Sequence, residues 1–181
     1  GYDGLDAYSY GVIMLNNVTA SDNGKQPSID GLGSGVYLNN SGALDTKPAA
    51  ITLLGINSFV NNDNMGLEVY SKGAITLNNA TATDNGRALL DGSGSGVFLD
   101  NSYALVTKPA AITLNGTNSF NNNDDIGFEA HSQGIITLSN VTASNNGTNG
   151  VYVFNNYIGA TKGITLKGNN YFNQNARPIC T

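Results

Sequence analysis

The 181 residues carry eight Lys and Arg against 13 Asp and Glu, a formal net charge of −5, with 12% charged and 40% hydrophobic residues. So few charges, mostly acidic, exclude a phosphate-neutralising nucleic-acid surface, and the apolar fraction excludes wholesale disorder. No apolar run approaches the roughly 20 residues of a membrane helix, and a single cysteine, Cys180, excludes an internal disulfide framework or a Cys-cluster metal site.

The 23 Gly and 28 Asn suit turns and left-handed backbone, and so many of them point to a repeat. Gly4 opens GLDAYSYGVIMLNNVTASDNG, Gly66 opens GLEVYSKGAITLNNATATDNG and Gly127 opens GFEAHSQGIITLSNVTASNNG, 62 and 61 residues apart. The segments between them align too, through SGVYLNNSGALDTKPAAITLLGINSFVNN, SGVFLDNSYALVTKPAAITLNGTNSFNNN and NGVYVFNNYIGATKGITLKGNNYFNQN. The chain therefore reads as one segment of three repeats (4–65, 66–126, 127–181), each made of two units of about 30 residues.

Each unit offers three short strands with period-two alternation bounded by Gly, Asn and Ser. The first begins at Gly4, Gly35, Gly66, Gly96, Gly127 and Gly150. The second is Ile13/Leu15, Ile51/Leu53, Ile75/Leu77, Ile112/Leu114, Ile136/Leu138 and Ile164/Leu166. The third centres on Ala20, Phe59, Ala82, Phe120, Ala143 and Phe172. Stacking unit on unit buries apolar faces that no single unit can bury, so each strand type is expected to form its own parallel sheet, with Ala and Phe alternating in the core. Three residues after each third-strand centre stands an asparagine (Asn23, Asn62, Asn85, Asn123, Asn146 and Asn175), expected to form a hydrogen-bonded amide ladder. The middle outward residue of the second strand is Thr52, Thr76, Thr113, Thr137 or Thr165, with Met14 the exception. A one-residue slip would break all these columns at once.

These motifs resemble right-handed parallel β-helices, the solenoids of pectate-lyase-like enzymes and of large repetitive bacterial surface proteins. The near-identical G-[AI]-I-T-L-x-N-x-T-A-[ST]-x-N-G cores are nearer in character to the second group. The expectation is an all-β, right-handed parallel β-helix of about six three-stranded coils, handedness coming from the resemblance and the crossover preference. Neither end shows a capping element. That fits an excerpt of a longer repetitive chain, or copies stacked end to end in a filament.

Candidate chemistry lies on the outward face of the first strands: Asp6/Tyr8, Tyr37/Asn39, Glu68/Tyr70, Phe98/Asp100, Glu129/His131 and Tyr152/Phe154, a strip of about 29 Å at ~4.8 Å per coil. Asp6, Tyr8, Tyr37, Glu68, Tyr70, Phe98, Glu129, His131 and Tyr152 are the candidate binding or interface residues. Three readings stand side by side: cross-strand pairs that stabilise the sheet, a protein contact, and a glycan-binding strip of rings and carboxylates. Glu68 and Glu129 stand about 9–10 Å apart by strand spacing, near the upper limit for an inverting glycosidase pair. Asp6 continues the same series, however, which marks the acids as a feature of the repeat. Pectate-lyase-like catalysis implies calcium with a basic residue in a groove, whereas the only arginines, Arg87 and Arg177, lie outside the strip. The lone histidine, His131, replaces Tyr8 and Tyr70 of the other repeats. The acidic turns at 61–64 and 121–125 do not match the glycine-rich calcium nonapeptide. The expectation is a non-catalytic structural or adhesive segment at the cell surface, without metal or cofactor, contacting its own copies or adjacent repeats. The alternative is a carbohydrate-binding or polysaccharide-cleaving β-helix working through the strip.

Overall fold

The computed structural model describes residues 2–24, 33–86, 94–157, 160 and 163–176. Eighteen strands, with no helix among the described residues, form six coils. Coil one holds β1 (Leu5–Tyr8), β2 (Ile13–Asn16) and β3 (Thr19–Ser21), and coil two holds β4 (Val36–Asn39), β5 (Ile51–Leu54) and β6 (Asn57–Val60). Coil three is β7 (Leu67–Tyr70), β8 (Ile75–Asn78) and β9 (Ala80–Thr83), and coil four is β10 (Val97–Asp100), β11 (Ile112–Asn115) and β12 (Asn118–Asn121). β13 (Phe128–His131), β14 (Ile136–Ser139) and β15 (Val141–Ser144) make coil five. β16 (Val151–Phe154), β17 (Ile164–Lys167) and β18 (Tyr171–Asn173) make coil six. Each strand pairs in parallel with its counterparts one coil away, giving three six-stranded sheets, as the columns of the sequence require.

Every coil turns at least twice through left-handed backbone. Between the second and third strands stand Asn17, Gly55, Asn79, Gly116, Asn140 and Gly168, with φ from 43° to 73°. After the third strand come Asp22, Asn61, Asp84, Asn122, Asn145 and Gln174, with φ from 52° to 60°. L-residues other than Asn and Asp rarely adopt this conformation, and these corners take six of the asparagines and three of the glycines.

The residue after the second corner is the ladder asparagine. Nδ2 donates to the next Oδ1 from Asn23 to Asn62 (2.8 Å), Asn62 to Asn85 (2.9 Å), Asn85 to Asn123 (2.9 Å), Asn123 to Asn146 (3.0 Å) and Asn146 to Asn175 (2.9 Å). Nδ2 also donates to the third-strand carbonyl of the coil before, as Asn85 does to Phe59 O at 3.1 Å. The glycine that opens each coil lies against the ladder amide that closes it. A Cβ at Gly4, Gly35, Gly66, Gly96, Gly127 or Gly150 would sit 2.5–2.9 Å from that nitrogen. These glycines precede the first strands by one residue, and their smallness is what the ladder needs.

The core runs along the axis. Val36, Leu38, Leu53, Leu67, Leu77, Leu99, Leu114 and their neighbours are fully buried, and Phe59 and Phe120 alternate with Ala82 and Ala143 in register. Phe120 also stacks on Phe128 of the next coil, centroids 5.2 Å apart, and Ala130 of the same strand offsets that extra bulk.

Three columns explain why the sequence repeats every two coils. Phe follows Ala in the third strand. Asn alternates with Gly at the first left-handed corner, where Asn79 accepts from Thr117 N at 3.1 Å and occupies the space beside Gly116. At the corner after the first strand, Ser71 and Ser132 alternate with Asn40, Asn101 and Asn155, all bonding to backbone carbonyls. A bulky group of one coil overhangs a small one of the next, so like coils cannot be neighbours. Gly116→Ala puts a Cβ into left-handed backbone, at about 1–2 kcal/mol, and also into the Asn79 amide. The expected loss, read by thermal denaturation, exceeds that backbone cost, and adding Asn79→Gly recovers the difference.

Candidate functional site

The first sheet places the strip residues in two files. One runs Asp6, Tyr37, Glu68, Phe98, Glu129 and Tyr152; the other runs Tyr8, Asn39, Tyr70, Asp100, His131 and Phe154. Rings zigzag between the files. Centroid separations are 5.5 Å for Tyr8–Tyr37, 5.8 Å for Tyr37–Tyr70, 5.6 Å for Tyr70–Phe98, 5.4 Å for Phe98–His131 and 6.0 Å for His131–Tyr152. Within its own file His131 also meets Phe154 at 5.7 Å. The rings are tilted by 44° to 66°, the geometry in which ring edges meet ring faces.

The two glutamates of the strip bond within it. Tyr70 Oη donates to Glu68 Oε1 at 2.7 Å, and His131 Nε2 stands 2.8 Å from Glu129 Oε1. Both pairs are i, i+2 neighbours on one strand, side by side because alternate residues share a face. Asp6 is exposed at the first coil. Phe98 lies in register between Glu68 and Glu129, so a ring separates the two carboxylates. Asp100 keeps the outward file, in register with Tyr70 and His131; it is 7% exposed, and its carboxylate accepts from Ser102 N at 2.8 Å. Asn39 makes the same turn, accepting from Ser41 N at 3.0 Å.

Burial holds the carboxyl groups of Glu68 and Glu129 above their ordinary value, opposed by the Tyr70 hydroxyl and by the His131 ring respectively. The Tyr70 hydroxyl is pushed well above its usual range by burial and by the Glu68 carboxylate. A raised carboxyl pKa gives a stability contribution that is full below the ordinary value of 4.5 and lost as pH rises through the folded value. Glu68→Gln is neutral throughout and still accepts from Tyr70. Its melting temperature should match or exceed the parent's at neutral pH, with the advantage gone at about pH 4. A parent more stable than the variant at neutral pH contradicts this assignment.

Two rings escape the sequence reading. Tyr103 joins Tyr70 at 6.5 Å, and Tyr157 meets Phe154 at 5.1 Å, nearly perpendicular. Both belong to connections, where period two gives no guidance; their recurrence after the first strand of an even coil is the available signal. Hollows of about 490 and 470 Å³ lie at the two ends of the stack, lined by core side chains such as Leu138, Val151 and Leu166 or Leu5, Val18 and Val36, and by no strip residue. Among the described residues, no three His, Cys, Asp or Glu side chains converge as metal ligands. Arg87, Arg177 and Cys180 lie outside the described residues.

No curated protein and no solved structure matches this chain. A family model does: residues 3–180 match the right-handed β-helix region. That match spans nearly the whole chain and agrees with three parallel sheets climbing one strand per coil; the chain belongs to the right-handed β-helix family.

Proposed function

We propose that this chain is a non-catalytic structural or adhesive segment of an exported, cell-surface β-solenoid, a stiff rod extended by further coils of its own or of another copy. One observation carries the reading: the strip's two glutamates and its histidine are spent on partners within the strip. Tyr70 bonds Glu68, His131 bonds Glu129, and each ring packs on the next. A catalytic acid or base instead needs hydrogen-bond reach to a substrate atom, and a hydrolytic pair needs open space where Phe98 stands. Low charge and outward Asn, Thr and Ser suit an exterior rod.

The test pairs electron microscopy of the native material with reducing-end assays on acidic polysaccharides. Rods and no turnover are expected; turnover abolished by Glu129→Gln overturns the proposal. A second reading, glycan binding along the strip, draws on the exposed rings of Tyr8, Tyr103 and Tyr152. Glycan-array binding lost in Tyr8→Ala and Tyr152→Ala would favour it.

A further inference from the structure

The charges are sorted by corner. The link from the third strand to the next first strand carries Asp22, Asp63, Asp84, Asp124 and Asp125, and Asp3 precedes the first strand of coil one. Segments 25–32 and 87–93, in the same links, add Lys25 with Asp30 and Arg87 with Asp91. With Arg177, which follows the last third strand, eight aspartates less three cations give these links −5. The link from the first to the second strand holds Lys47, Lys72, Lys108 and Lys162 against Asp45, four lysines less one aspartate, or +3. First strands run from the acidic corner to the basic one, so the two edges border the same sheet.

The basic corner is a built ridge. Ala43 N donates to Asn40 O at 2.9 Å and Lys47 N to Leu44 O at 2.9 Å. The same two turns recur two coils on, from Ala104 to Asn101 (3.0 Å) and from Lys108 to Leu105 (2.8 Å). Buried Ala43 and Ala104 root the loops. Lys72 is paired with Asp45 at 2.7 Å, while Lys47 and Lys108 are exposed beside Leu44, Leu105 and Val106, which are 70%, 40% and 50% exposed. The acidic corner repeats at the same interval. Asp63 N donates to Asn23 O at 3.0 Å and Asp124 N to Asn85 O at 2.9 Å, and half-buried Met65 and Ile126 follow each of them by two residues.

We propose that copies of this chain associate side by side, the lysine and leucine ridge of one lying along the aspartate edge of the next. Charge complementarity and a shared two-coil spacing, about 9–10 Å by strand separation, argue for a second copy as the occupant. Leu44/Lys47 and Leu105/Lys108 meet Asp63/Met65 and Asp124/Ile126 with the same interval on both sides. Translation across the width of the first sheet makes the contact without rotation, so it does not close on itself and adds copies in a row. The row sets the aromatic strips of successive copies in one face. This contact is independent of any stacking along the axis.

Sedimentation velocity over a concentration series tests it. The parent should associate at low ionic strength and dissociate at about 0.5 M salt, where exposed charges are screened. Lys47→Glu/Lys108→Glu should weaken side-by-side association about tenfold or more, as should Asp63→Lys/Asp124→Lys. An equal mixture of the two variants, each ridge now facing an opposite edge, should recover it, which separates charge matching from misfolding. A parent monomeric at every salt concentration, association indifferent to both variants, or a mixture that fails to recover overturns the proposal. Ridge binding to an anionic polysaccharide with no association of copies overturns it too.

Discussion

Asn85→Ala is expected to cost about 3–5 kcal/mol in urea denaturation, because it strands buried donors rather than merely deleting a contact. Asn85 Oδ1 accepts from Asn62 N at 3.1 Å and Asn62 Nδ2 at 2.9 Å, in a column where Asn62 and Asn85 are fully enclosed. Alanine leaves both donors without that acceptor and with no route to water. Asn115 makes the informative contrast. Its Nδ2 reaches Asn78 Oδ1 at 3.2 Å on the exposed face of the second sheet, so Asn115→Ala should fall within about 0.5 kcal/mol. Asn85→Asp separates the ladder's two roles. It keeps an acceptor toward Asn62 but turns a carboxylate toward Phe59 O and Asn123 Oδ1, which need donors. Its pKa is therefore raised in the folded state, and the variant should hold its stability below about pH 4 and lose it as pH rises. Equal costs for Asn85→Ala and Asn115→Ala would mean that the ladder is not a buried column.

Strands, register and ladder were legible in the sequence because each is a repeated choice of side chain at fixed spacing. Ala82 against Phe120 declares an inward column, and Asn85 against Asn123 an amide stack, before any coordinates exist. Other features escaped because they depend on where the backbone turns. Period two sends Asp100 outward, where the sheet keeps it, but says nothing of its carboxylate capping the turn at Ser102 N just beyond the strand. Tyr103 lies beyond the strand, so nothing in the alternation brings it back to Tyr70. The opening glycines were readable as strand starts, while their packing against the ladder amides needed the closed coil. The strip's residues were identifiable one by one, whereas the pairing of Tyr70 with Glu68 and of His131 with Glu129 depends on rotamers that no periodicity specifies. Charge sorting was hidden for a related reason. Lysines at 47, 72 and 108 are far apart in the chain and become one corner only when the links are stacked.

Phe120→Ala is expected to cost about 3–5 kcal/mol, toward the upper end of that range, because its site cannot collapse. The ring is fully buried, stacked on Phe128, and bounded in its own column by Ala82 and Ala143. Truncation would leave three alanines in succession, held at parallel-strand spacing by backbone hydrogen bonds that a shrinking core would have to break. Moving the ring offers no rescue: Phe at 82 would abut Phe59 and Phe at 143 would abut Phe172, so each adds overpacking to the void. Phe120→Leu, which keeps most of the volume, should cost about 1–2 kcal/mol. Phe172, 46% exposed, supplies the internal control, and Phe172→Ala should cost less than half as much as Phe120→Ala. The three values, measured by urea titration with unchanged m, should rank 120→Ala, then 172→Ala and 120→Leu together. Comparable losses at Phe120 and Phe172 would contradict the packing, since burial along this axis, rather than the aromatic residue itself, sets the cost.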